Sequence, residues 1–192
     1  MDRTLSTAGL FIVLVFIIAL NLRPVMAAMG PLFPLLQHNA HFSATQLSLL
    51  TTLPVMMMGL AALAGPRLQQ KMGEVRGITG GLILLALASA VRGVDQSAAT
   101  LIISALVAGT GIGAIQALMP ALIKRQFGAR AGTLMALFST GIMAGAAMAA
   151  ASAAPLAMHQ GLALTLAIPA IPAALALLLW LAHSRRAAPV HI

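Results

Sequence analysis

The chain has no cysteine and only three acidic residues in 192, Asp2, Glu74 and Asp95. The missing cysteine excludes disulfides and thiolate chemistry, and leaves the redox compartment unread. The scarce acids all fall in terminal or loop-like stretches. No carboxylate is therefore at hand inside the long apolar segments, either for acid–base catalysis or to neutralise a buried cation. Charged residues make up 7% of the chain, against about 25% in a soluble domain. Five histidines complete the short inventory. His38, His41 and His159 fall in expected outer loops, and His183 and His191 near the tail. No pair has the spacing to grip a metal from one helix face within a membrane, so solvated loop histidines are expected and neither a metal nor a cofactor is. An intramembrane serine protease is also disfavoured, because Phe138-Ser139-Thr140-Gly141 lacks the preceding glycine of a GxSx turn and no histidine lies midspan. An enzyme is not expected.

What the chain does have is apolar length. Hydrophobic residues make up 60%, and the mean hydropathy is +1.01. Six apolar segments stand out, at about 8–36, 43–64, 77–94, 98–123, 130–154 and 161–182, each near the ~20 residues that span a bilayer. The expected fold is all-α and polytopic, a six-helix domain over 1–186, with 187–192 as a tail or the start of a linker. The first run exceeds the ~7–15 residues of a signal-peptide core, so it reads as a retained first spanning helix. Ser43-Ala44-Thr45-Gln46 has capping-box form and opens the second helix. Gly65-Pro66 is expected to end it, with a polar and basic loop over 67–76.

The net charge of +8 resembles that of a nucleic-acid binder until the charges are placed. Arg3, then Arg67, Lys71 and Arg76, then Lys124, Arg125 and Arg130, and finally Arg185 and Arg186 all fall on one side of a six-span topology. Arg92 stands alone on the other. The bias puts both termini in the cytoplasm, of a bacterial inner membrane on this reading, and makes nucleic acid an unneeded partner. Trp180, near the cytoplasmic end of the last segment, fits an interfacial anchor.

Arg23 is the exception. It lies within an apolar run and is followed at once by Pro24. Hydrocarbon solvates a guanidinium poorly, so it needs a partner, a wet cavity or an anion. With no midspan acid in the chain, a solute is the favoured partner, although backbone carbonyls, another chain or snorkelling toward the interface would also serve. Asn21 and Gln116 are the next polar groups at depth, as solute-binding helpers or interhelical hydrogen-bonding groups. The first and fourth segments each carry a polar residue and a nearby proline (Arg23 with Pro24, Gln116 with Pro120), which suits two inverted three-helix repeats. Gly109 and Gly113, and Gly141 and Gly145, form GxxxG pairs expected to let helices approach closely.

Asn21-Leu22-Arg23-Pro24 followed by Gly30-Pro31-Leu32 resembles the first helix of the cyanate permease and 2-nitroimidazole transporter branch of the major facilitator superfamily. The likeness continues in Leu118 to Arg125. The loop from Pro66 to Val75 is similar to the superfamily's signature G-x-L-a-D-R-x-G-R-R. Leu68 and Gly73 match, Lys71 replaces the arginine, and Gln70 stands where the aspartate is expected. The resemblance implies membrane transport of a small polar or anionic solute by alternating access. It also implies twelve helices, of which this chain supplies the N-terminal six. The other wall would be a C-terminal half of the same protein or a parallel second copy. A non-transporting scaffold subunit and an oligomeric channel are the rival expectations.

Overall fold

The computed structural model describes residues 2–187, and among them every regular element is helical. The expected tail over 187–192, with His191, falls outside them save for Ala187. The first apolar run is not one helix. It forms α1 (Asp2–Asn21), a single turn α2 (Pro24–Ala27) and α3 (Met29–Asn39). Proline at position 24 has no N–H to donate back to the preceding turn, but it suits the first position of a new helix. The chain bends at Leu22 and Arg23, where Leu22 N–H donates to the Ala19 carbonyl at 3.2 Å. The new turn hangs from Arg23, whose carbonyl accepts from Met26 and Ala27 at 3.0 and 2.8 Å.

The Ser43 capping box is present, with the Gln46 amide donating to Ser43 Oγ and Ser43 N–H donating to Gln46 Oε1. It opens α4 (Ala44–Val94), which continues through Gly65-Pro66 and the segment expected to be a loop. The reason is local. Arg67, Leu68, Gln69, Gln70 and Lys71 are good helix formers, and all but Leu68 face outward. Gly73 is what bends the chain, with φ 76 and ψ 164. Then come α5 (Ala98–Phe127), a 3-10 turn at Gly128–Arg130, α6 (Ala131–Gln160), α7 (Leu162–Ala167) and α8 (Ala170–Ala187). Gly128 and Gly161, at φ 47 and 86, mark the other sharp ends. Four helical stretches are long and apolar enough to cross a bilayer: Thr7–Asn39, Ala44–Val94, Ala98–Gln160 and Leu162–Arg186. At about 1.5 Å per residue, the second and third are far longer than the ~30 Å hydrocarbon core.

Small residues set the helix separations. A Cβ on Gly109 would lie 2.6 Å from the Pro54 backbone, and one on Gly113 would lie 2.6 Å from Ala61 Cβ and 2.9 Å from the Met58 backbone, so α5 lies almost in contact with α4. Gly141 sits against Ala19 and Phe16, and Gly145 against the Leu20 carbonyl, so α6 closes on the end of α1. Leu22 and Val25, on either side of the bend, belong to the larger core cluster with Ile78, Leu82, Ile115 and Trp180.

Two aromatic positions differ from expectation. Trp180 is 1% exposed, and its indole N–H donates to Thr79 Oγ1 at 3.0 Å, so it is a core residue rather than an interfacial anchor. His183 is likewise buried, 5.6 Å from the Phe11 ring, and is not a solvated loop histidine. Both continue the buried stripe of Ala173 and Ala176, which reaches past the end of the apolar run.

Gly73 yields a direct test. Nothing lies within 4 Å of a Cβ placed there, so only its φ of 76 resists a side chain. Gly73→Ala is expected to lower unfolding stability by about 1–3 kcal/mol. Gly80→Ala, equally uncrowded but without a positive φ, is expected to cost nothing. Thermal unfolding in detergent checks the pair.

Candidate solute site at the break in the first apolar helix

Arg23 occupies the bend itself, as the residue before α2, with φ −110 and ψ −19. Its side chain is half-buried. Its Nε is buried and forms no hydrogen bond, a state matched among the described residues only by Ser89 Oγ. The guanidinium is therefore not saturated by backbone oxygens, and its Nε is closed off although the side chain as a whole is half-exposed.

Asn21 is 5% exposed, and its Nδ2 donates to the Ile17 carbonyl at 2.8 Å. It lines a cavity of about 270 Å³ between α1, α6 and α7–α8, with Pro24, Ser152, Thr165 and Pro169. Arg23 does not line that cavity, so the two polar residues share the bend but not a face. Gln116 is half-buried on α5, next to the glycine face that packs on α4. No hydrogen bond joins Arg23, Asn21 and Gln116 among the described residues.

The residue that sequence reasoning missed is Arg92. It was expected as a lone outer-loop charge, yet it is 2% exposed. Its Nε donates to Ser104 Oγ on α5 at 2.7 Å, and its Nη1 donates to the Val25 carbonyl in α2 at 2.9 Å. Ser104 Oγ in turn donates a hydrogen bond to the Leu101 carbonyl at 2.8 Å. A signal was available. Ile78, Leu82, Leu85, Ser89 and Arg92 form a single stripe at alternating spacings of four and three, all buried.

Glu74 and Asp95 are both engaged at bends or ends of helices. Glu74, 5% exposed, pairs with Arg125 Nη1 at 2.7 Å and accepts from Gln69 Nε2 at 3.0 Å. Asp95, in the exposed link to α5, accepts from Thr100 Oγ1 at 2.6 Å, Ser97 N–H at 3.0 Å and Ser97 Oγ at 2.9 Å. Those bonds, Thr100's first, hold its carboxyl below the usual carboxylate range. No cluster of three metal-ligating side chains occurs among the described residues.

An all-helical chain with a broken first helix, a glycine-bent second stretch and a basic end is a recognisable arrangement, and the pattern of the Major Facilitator Superfamily matches residues 6–191. The chain belongs to the Major Facilitator Superfamily. It is accordingly a multi-pass membrane protein. The cyanate transport protein CynX of Escherichia coli is 41% identical over 165 residues, which cover 85% of this chain and 43% of that protein. The uncharacterized transporter YycB of Bacillus subtilis is 31% identical, with 89% of this chain and 43% of that protein covered. The 2-nitroimidazole transporter of Escherichia coli is 30% identical, with 89% and 44% covered. The chain thus spans less than half the length of these relatives. The crystal structure of a peptide transporter, POT, bound to sulfate shares the fold at a TM-score of 0.79 and 16% identity, covering 93% of this chain and 38% of that one.

Within this superfamily member, the signature loop is helical up to Gly73. Leu68 is half-buried against the larger core, whereas Gln70 and Lys71 are exposed. Glu74 stands at a position where the signature carries arginine, and its partner Arg125 supplies the opposite charge from α5.

Two predictions concern the acids. Arg125→Ala leaves the buried Glu74 carboxylate with Gln69 alone, and is expected to cost about 1–3 kcal/mol. Asp95 has a depressed folded pKa, so its contribution is present above the unfolded value near 3.8 and is lost as pH falls below it. In Asp95→Asn, the part of the stability loss below about pH 4 that Asp95 contributes is expected to vanish. Unfolding scans of wild type and variant between pH 5 and 2.5 measure it.

Proposed function

We infer that this chain forms a six-helix half of an alternating-access carrier in a bacterial inner membrane, with both termini cytoplasmic. Three features support the topology. Gly73 splits the stretch Ala44–Val94. The turn at Gly128–Arg130 splits Ala98–Gln160. Together they turn four long stretches into six crossings, arranged as two sets of three. Arg67, Lys71, Arg76, Lys124, Arg125 and Arg130 then cluster at one set of turns, the side that the positive-inside rule assigns to the cytoplasm. The facing wall is a second six-helix unit, either the C-terminal half of the same protein or a parallel second copy.

The solute is a small anion or a strongly dipolar heterocycle, cyanate-like or nitroimidazole-like, in keeping with what the names of two relatives say those proteins transport. The observation that carries this reading is Arg23: a buried Nε with no partner, at a break in a membrane helix, in a chain where Glu74 and Asp95 are engaged elsewhere. Binding energy for an anion is available there because a charged, forked donor carries a buried Nε that no protein oxygen satisfies. Gln116 is the second solute-facing group, with its side-chain amide uncommitted among the described residues. Asn21 contributes by shaping the end of α1, since its amide is tied to Ile17.

In the intact transport system reconstituted in liposomes, Arg23→Ala is expected to reduce kcat/KM for saturable counterflow by about 30-fold or more, the equivalent of about 2 kcal/mol. Arg23→Lys keeps the charge without the fork and is expected to fall between. Saturable counterflow undiminished in Arg23→Ala overturns the assignment of Arg23. Flux that never saturates in the wild type overturns the carrier in favour of a channel.

A further inference from the structure

We propose that Arg92 is the positioning residue of the solute site. It holds the turn Pro24–Ala27 in place from the neighbouring α4 and so sets the pose of Arg23. The proposal rests on the carrier reading of Arg23 and extends it.

A four-residue turn has too few internal bonds to hold itself. The bend at Leu22–Arg23 precedes α2, and α3 begins only at Met29. Val25 lies in the last turn of α2, where helix carbonyls lack a donor from their own helix. In hydrocarbon, water cannot supply that donor. The donor that does reach the Val25 carbonyl is Arg92 Nη1, from 67 residues away in sequence. Arg92 is itself aimed by its Nε bond to Ser104 Oγ, and Ser104 is oriented by the Leu101 carbonyl. One guanidinium thus ties α4, α5 and the free turn together. The turn begins at the carbonyl of Arg23, which accepts from Met26 and Ala27, so a shift of the turn carries Arg23 with it.

The choice of side chain fits this role. No acid is bonded to Arg92 among the described residues, so its charge is uncompensated, and an apolar residue would avoid the cost of desolvating it. What an apolar residue cannot do is donate in two directions at once. Lysine donates from a single point and does not reproduce the fixed fork.

Two readouts on the intact, reconstituted system test the proposal. The first is hydrogen exchange at the amides of Met26, Ala27 and Ala28, which report the turn without any solute. The second is counterflow with cyanate and 2-nitroimidazole as probes. Arg92→Gln is expected to speed exchange at those amides tenfold or more, with α5 and α6 unchanged, and to raise KM at least fivefold with kcat within twofold of wild type. Arg92→Lys should fall between, and Ser104→Ala should act in the same direction more weakly. Those two milder variants carry the test if Arg92→Gln does not fold. Unchanged exchange and KM in Arg92→Gln overturn the proposal. So does exchange that rises uniformly along the chain, with Lys no better than Gln, since that is the behaviour of a residue needed only for stability. The two readings fail separately. Normal counterflow in Arg23→Ala removes the solute role of Arg23 while the exchange result still reports the tie. Lost counterflow in Arg23→Ala with an unaltered turn in Arg92→Gln removes the tie alone.

Discussion

A membrane helix that breaks in hydrocarbon must settle its freed backbone groups within the protein, because no water is there to take them. The first apolar helix of this chain breaks at Leu22–Arg23, and its surroundings answer that break from two sides. On one side Arg92 donates a hydrogen bond to the Val25 carbonyl. On the other, Gly145 lets the α6 backbone come up against the Leu20 carbonyl at the end of α1. The stripe on α4 that ends in an arginine, the serine across from it on α5 and the glycine on α6 are separate in sequence. The first helix stops just before Pro24, which has no N–H to give the Leu20 carbonyl four residues back.

Charge is distributed with the same economy. Two acids are occupied at bends or ends of helices, Glu74 by Arg125 and Gln69, and Asp95 by Ser97 and Thr100. Two guanidiniums at depth are left without an acid, and they are not equivalent. Arg92 is nearly inaccessible, and two of its nitrogens rest on neutral oxygens. Arg23 is half-buried with its Nε unmatched. A cation whose donors are taken up by its own protein has little left to offer a guest, whereas one with an unmatched donor has more.

Hydropathy and small-residue spacing located the apolar stretches and the Ser43 capping box, because those signals are local. Helix ends were less legible. Polar residues such as Gln69 and Lys71 form helix as readily as they form loop, so α4 runs on to Gly73, where φ alone forces the turn. Arg92 and His183 were misread for a related reason. Hydropathy assigns a charged or polar residue at the end of an apolar run to the surface, whereas each in fact continues a buried stripe, after Ser89 and Trp180 respectively. Following the stripe rather than the run would have found both. The facing of Asn21, into a cavity that Arg23 does not line, depends on where α6 and α7 come to rest, and nothing within its own helix encodes that.

The exposed faces explain why Arg23 stands out chemically. Leu63, Val94 and Met158 are each about 80% exposed or more, as residues against lipid or a second helical unit would be. The hydroxyls set among such residues do not ask for partners. Thr51, Thr140 and Ser152 each donate to a carbonyl three or four residues back in their own helix, which lets a polar side chain sit in hydrocarbon at little cost. Thr110 and Thr165 do the same nearer the core. Once these are discounted, the buried side-chain atoms still short of a partner are Ser89 Oγ and Arg23 Nε. Of the two only Arg23 carries charge, and it does so where the first apolar helix is interrupted.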